Sequence, residues 1–166
     1  MTANDCIQIY DYEKAIESAV QAILIDGGVS AYTSFSEPEM EKDRPRVEIE
    51  FQTGTATGHR ATSDSVYRPD SFTGICSITV VTNTSDNAGG AQAHSEYRSL
   101  VRFVCAQIET TLTDDAAGGG TLLPYHSVNR FIENGTSPTI HHDSGVLASQ
   151  INFDVHFNIR PDAWPV

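Results

Sequence analysis

The sequence predicts an α+β domain with a mostly antiparallel sheet, two main helices packed on one face, and a long projecting loop or hairpin. Two segments repeat apolar residues at helical spacing, and four alternate apolar and polar residues with period two. A long polar segment separates two of the alternating segments. At 166 residues the chain has the size of one domain, so we expect residues 1–166 to form a single unit.

The first predicted element is a helix from about Asp11 to Ile25. Asp11 suits its N-cap, and the pair Gly27-Gly28 suits its end. Its apolar residues recur every three or four positions: Ala15, Ile16, Ala19, Val20, Ile23 and Leu24. This apolar face needs a sheet to cover it.

The first predicted strand, residues 46–51, alternates charged and apolar residues. Glu48 and Glu50 share one face, which we expect to be solvated, while Val47, Ile49 and Phe51 share the core face. The following residues 52–73 are rich in Gly, Ser and Thr and nearly neutral. We expect this segment to project from the domain as a loop or hairpin, because loops of this length are uncommon unless they bind something.

The second half of the chain predicts a strand, a helix and two further strands. A strand at 74–82 reads as central in the sheet because one of its faces is strongly apolar. The final strands cover about 127–133 and 146–160, and the last is long enough to cross the whole sheet. The helix, about 91–112, has the apolar stripe Tyr97, Leu100, Val101, Val104, Ile108 and Leu112, widened by Phe103.

Charge and composition disfavour two classes of function. The net charge is −12, with 22 Asp and Glu against 10 Lys and Arg, which opposes tight nucleic-acid binding. No apolar stretch is long enough for a membrane span and the first residues lack signal-peptide order, so we expect a soluble protein of cytoplasmic origin. The chain has three cysteines, Cys6, Cys76 and Cys105, each set in apolar sequence. This odd number and this setting favour an interpretation as small core residues over a disulfide framework.

Residues with catalytic or ligating potential do not form a recognisable site. The sequence has no Gly-x-Ser-x-Gly motif. Adjacent histidines on a strand point to opposite faces, and no ligand-spaced partner completes a metal site. We therefore expect no enzymatic activity, no cofactor and no metal, although the chain contains His126, Ser127, His141, His142, Asp143 and Ser144.

The order of predicted elements, together with three sequence segments, resembles the tail-terminator and tail-completion proteins in the neck of tailed bacteriophages. The segments are Pro-Arg-Val-Glu-Ile-Glu-Phe at 45–51, Leu-Leu-Pro-Tyr-His at 122–126, and the closing run at 157–165. The resemblance implies a homo-oligomeric ring of six subunits that caps the tail tube and meets the head connector. It implies a virion protein, assembled in the cytoplasm of a bacterial host, through which genomic DNA passes without specific binding.

The sequence also indicates where such a ring would make contacts. We expect Glu48 and Glu50 to face the channel, where negative charge repels phosphate. The alternatives to a tail terminator are a head-tail stopper, a tail tube subunit or a small ligand-binding module. Arginine suits bidentate pairing across interfaces and aromatic residues are enriched there, which favours as contact residues Arg60, Tyr67, Arg68, Phe72, Arg160 and Trp164.

Overall fold

The computed structural model describes residues 11–35, 45–61, 67–83, 89–117, 126–136, 140–142 and 146–159. These residues form an α+β fold, as predicted. The elements in chain order are α1 (Tyr12–Asp26), β1 (Ala31–Thr33), β2 (Arg46–Ala61), β3 (Tyr67–Asn83), α2 (Gly89–Ala117), β4 (His126–Thr136), β5 (Ile140–His142) and β6 (Val146–Ile159).

The strands form one mostly antiparallel sheet in the order β1-β2-β3-β6-β4. β1 pairs with β2 in parallel, and the other pairs are antiparallel. β3 lies between β2 and β6, which confirms its predicted central position. β6 crosses the sheet as expected: β3 pairs along one side of it, and β4 and β5 share the other side.

One face of the sheet supplies the core. Val47, Ile49 and Phe51 are buried as the alternation predicted, and α1 and α2 add apolar residues to the same cluster. An aromatic group lies within it: the rings of Phe72 and Phe157 stack with centroids 5.3 Å apart, and the ring of Tyr12 lies 5.0 Å from Phe157. Burial of this apolar face provides most of the driving force for folding.

The ends and faces of the helices differ in two details from the predictions. Asp11 precedes α1, but its side chain makes no capping hydrogen bond. Phe103 is 40% exposed instead of widening the buried stripe of α2. The predicted end of α1 is confirmed. Gly28 has a φ of +83°, a backbone conformation that favours glycine, and the Val29 N–H donates a hydrogen bond to the carbonyl of Leu24.

The long projecting loop or hairpin predicted at 52–73 is not confirmed. Residues 52–61 continue β2, and residues 67–73 begin β3. The two strands pair through backbone hydrogen bonds, which do not require large apolar side chains. Irregularities in the register between Gln52 and His59 interrupt the ladder.

Among the described residues, no helix is long and apolar enough to cross a membrane.

Candidate interaction surfaces

The sheet face opposite the helices carries acidic residues of β2. Glu50 is exposed there, and the Glu48 side chain is 41% exposed. Glu48 is also paired: its Oε1 lies 2.8 Å from both Nε and Nη2 of Arg46, whose side chain is only 9% exposed. The predicted orientation of Glu48 and Glu50 away from the core therefore holds, whereas their position at a channel stays a prediction.

A shallow pocket of about 240 Å³ opens on this acidic face. At its floor Ser77, which is 2% exposed, donates a hydrogen bond from Oγ to Asn152 Oδ1 at 2.9 Å. The pocket is smaller than most small-molecule sites, which span roughly 300 to 1,000 Å³. Its lining is polar and acidic: Tyr32, Thr33, Ser34, Glu48, Ile49, Glu50, Ser77 and Thr79.

The strand pair formed by β2 and β3 extends past the described end of β6. Among the described residues, the last pair between β3 and β6 is Ser71 with Asn158, and residues 67–69 pair with β2. We call residues 59–61 and 67–69 the arm. Within it Arg60 is directly opposite Arg68, and Ala61 is opposite Tyr67. Three of the predicted contact residues, Arg60, Tyr67 and Arg68, are thus brought together at one end of the sheet.

The other predicted contact residues have different fates. Phe72 is 6% exposed and stacks on Phe157, so its assignment to an interface was wrong: aromatic packing in the core already covers its ring. Arg160 and Trp164 lie outside the described residues. Of the residues considered for catalysis, His126 lies in β4, and His141 and His142 lie in β5. The structure describes the backbone of these three residues.

An acidic pair lies at the β4 edge of the sheet, where α2 packs on β4. The Glu133 N–H approaches Glu109 Oε1 at 3.4 Å, and Glu133 is exposed. Burial, followed by the negative charges of Glu133 and Glu109, raises the pKa of the nearby Cys105 thiol to about 11. We call Glu109 and Glu133 the acidic pair, because they concentrate negative charge at this edge.

Glu17 is a structural residue that the sequence analysis missed. It is 1% exposed, and its carboxylate accepts hydrogen bonds from the N–H and Oγ of Ser34 and, at 2.7 Å, from the N–H of Phe51. The carboxylate accepts these hydrogen bonds directly after the end of β1, whose last pair with β2 is Thr33 with Ile49. Its position three residues before Val20 and seven before Leu24, within the buried stripe, is the signal that could have revealed it.

Within the described part of the chain, no group of three or more His, Cys, Asp or Glu side chains is placed to hold a metal ion.

Comparisons with known proteins give no family. No family model and no curated protein matches the sequence. Among solved structures, a chain whose name states no function aligns over 100% of this chain and 99% of its own length, at 11% identity and a TM-score of 0.36. A likeness at this level carries no argument about function.

Proposed function

We propose that this protein is a structural virion component of a tailed phage. Its role is that of a tail terminator, which forms a ring at the top of the tail tube and joins it to the head connector. The supporting observation is the combination of helix, long strand pair, helix and final long strand around one sheet, with the arm continuing past the described end of β6. Such an arm offers a contact surface to a neighbouring subunit.

The proposal assigns a role to the acidic sheet face. Glu50 and Glu48 line the channel through which genomic DNA passes, and like charge keeps the phosphate backbone from adhering. Glu50 is exposed on this face, whereas Glu48 shares the face and is paired with Arg46, so Glu50 contributes the larger part of the repulsion. A tail tube protein and a head-tail connector or stopper are the other partners. The same features fit a stopper or tube subunit, which share the ring and the channel.

A second candidate, a small ligand-binding module, is favoured by the pocket above Ser77. The pocket is small and is lined by Glu48 and Glu50, so a large apolar ligand does not fit it. This candidate requires no self-association, which separates it from the ring.

Negative-stain imaging of the purified full-length protein tests the proposal. Closed rings with a central opening support a neck component, and a map of such rings shows whether Glu48 and Glu50 face the opening. A protein that stays monomeric across concentrations supports the binding module instead. Turnover in esterase, nuclease and protease screens that is lost on replacing His126, His141 or His142 would overturn the structural role.

A further inference from the structure

One side of α2 carries an exposed residue at every fourth position along five positions. We call these five residues the outer stripe: Arg98, Arg102, Ala106, Thr110 and Asp114. The residues that α2 contributes to the core lie on its other side, so the outer stripe faces away from the sheet. It is therefore a surface on which another molecule can bind.

The charges of the outer stripe are separated by sign. Arg98 and Arg102 lie four residues apart in its first half, a spacing at which like charges repel along a helix. Asp114 lies in the last turn of α2, where the negative end of the helix dipole disfavours a carboxylate. Among the described residues, none of these three forms an ion pair. Each half therefore gains from an opposite charge that another molecule supplies.

The two charged ends are placed symmetrically about Ala106. Arg98 lies eight residues before Ala106 and Asp114 lies eight residues after it, which is about 12 Å along the helix in each direction. A second copy turned end to end about Ala106 brings the partner's Asp114 opposite Arg98 and the partner's Arg98 opposite Asp114. A contact that uses the same surface on both copies is isologous. The outer stripe is therefore complementary to itself in an antiparallel arrangement.

Side chains near the middle of the outer stripe favour close packing of two helices. Ala106 lies at the centre and has only a methyl group, and helix axes approach to about 8 Å where the side chains at the contact are small. Phe103 lies one turn away and is 40% exposed, so a second helix packed here removes an apolar ring from water. Aromatic residues and arginine are also the residue types enriched at protein contacts.

We propose that two copies of this chain pair through the outer stripes of their α2 helices, antiparallel and with Ala106 on the twofold axis. Arg98 of each copy forms an ion pair with the partner's Asp114, and Phe103 packs against the partner's helix. A second copy is the occupant because the charge pattern of the outer stripe is complementary to itself. The pairing is twofold, so it is separate from the ring contact and goes beyond the proposed function. The helix-free face of the sheet takes no part in it.

A disulfide across the twofold axis tests this arrangement in the full-length protein. A residue on the axis meets its own copy, so Ala106→Cys under mild oxidation should give a dimer of about 36 kDa, twice 18.0 kDa, on a denaturing gel without reductant. Ser95→Cys is the matched control on the same helix. Ser95 is exposed but lies eleven residues from the axis, so its two copies are about 33 Å apart and should not link. The parent, with its native cysteines, gives the background.

Charge variants in the Ala106→Cys background test the ion pair. Arg98→Glu or Asp114→Arg alone places like charges opposite each other and should slow cross-linking by about tenfold or more. The combined variant Arg98→Glu/Asp114→Arg exchanges the two charges and should restore the rate, which a misfolded subunit could not do. Lys14→Glu makes the same charge change as Arg98→Glu at an exposed position of α1 and should leave the rate unchanged.

Three results would overturn the pairing: a single charge variant that links as fast as its Ala106→Cys background, a combined variant that stays slow, or equal dimer yields from Ala106→Cys and Ser95→Cys. Loss of a six-subunit species in Arg98→Glu would assign the outer stripe to the ring contact instead. A protein that links through Ala106→Cys but never forms larger species supports this pairing and contradicts the proposed ring. The two proposals therefore fail separately.

Discussion

Glu17 links three parts of the chain through one buried carboxylate. It joins α1 to the residue after β1 and to the backbone of β2, and it receives its hydrogen bonds from neutral donors. A buried carboxylate is tolerated only when such donors satisfy it. It therefore ties the end of β1 to α1 and β2.

Replacing Glu17 with alanine should lower the free energy of unfolding by about 3 kcal/mol, because the N–H groups of Ser34 and Phe51 lose their acceptor inside the protein. Denaturant titration measures the change. Glu13→Ala removes a carboxylate one turn earlier in α1 without touching these contacts and should cost less than about 1 kcal/mol. Equal losses for the two variants would show that the Glu17 contacts contribute nothing specific.

Cys105 should be a poorly reactive thiol. With its pKa raised to about 11, roughly one molecule in a thousand carries the thiolate at pH 8, and the thiolate is the reactive form. Alkylation of folded Cys105, located by mass spectrometry, should be about a hundredfold slower than that of an ordinary thiol and should rise about tenfold per pH unit until pH 11. Fast, pH-independent labelling would mean that the site is neither buried nor acidic.

At the scale of elements, β3 packs so closely on β2 that one position admits no side chain. A Cβ added at Gly74 would lie 2.5 Å from Phe51 Cζ. The Phe51 ring has little room to move, because Phe157 and Tyr12 pack against it with centroids 6.1 and 6.2 Å away.

Gly74→Ala should therefore destabilise the fold by about 1 to 3 kcal/mol, the usual cost of overpacking. Gly27→Ala is the matched control, since its added Cβ would meet the ring of Phe103 at 3.2 Å, and that exposed ring can shift. Thermal unfolding of the two variants checks the difference. Similar unfolding temperatures for both variants would contradict close packing at Gly74.

The arm and the sheet centre should differ in backbone stability. Among the described residues, 59–61 and 67–69 pair with each other at the end of the strand pair, whereas residues 76–80 lie between β2 and β6. Hydrogen exchange should be at least about tenfold faster in the arm of the free subunit and should slow on assembly. Strong, equal protection of both regions in the free subunit would place the arm with the core.

The sequence predicted elements well where apolar periodicity is strong. The apolar pattern of α1 and the alternation around Ile49 specified their buried faces, because burial alone determines those positions. β1 and β5 were missed, since three residues are too few to show a period. The segment 52–73 was predicted to project as a loop or hairpin, and the continuation of β2 and β3 into it was missed because that pairing rests on backbone hydrogen bonds, which leave little trace in hydrophobicity.

The interaction surfaces were predicted less completely than the fold. Arg60 and Arg68 were both selected from the sequence, but their direct opposition depends on strand register and bulges, which composition does not reveal. The pairing of Glu109 with Glu133 requires α2 to pack against β4, a contact between residues distant in sequence. Phe72 was misassigned because an aromatic residue in a polar segment reads as a contact residue until its stacking partner Phe157 is known.

At the scale of the whole molecule, the account depends on self-association. The arm lies at the shared end of β2 and β3, the acidic pair lies on the β4 edge, and Glu48 and Glu50 lie on the helix-free face. The proposed ring requires surfaces that meet neighbouring subunits and a face that lines the channel.

Mass photometry of the purified full-length protein tests this account most directly. Six subunits of 18.0 kDa predict a discrete species of about 108 kDa. The fraction of particles at this mass should rise with protein concentration and fall as salt screens charge pairs between subunits. Particles at 18.0 kDa alone, at every concentration and at low salt, would contradict the ring and with it the assignment to the phage neck.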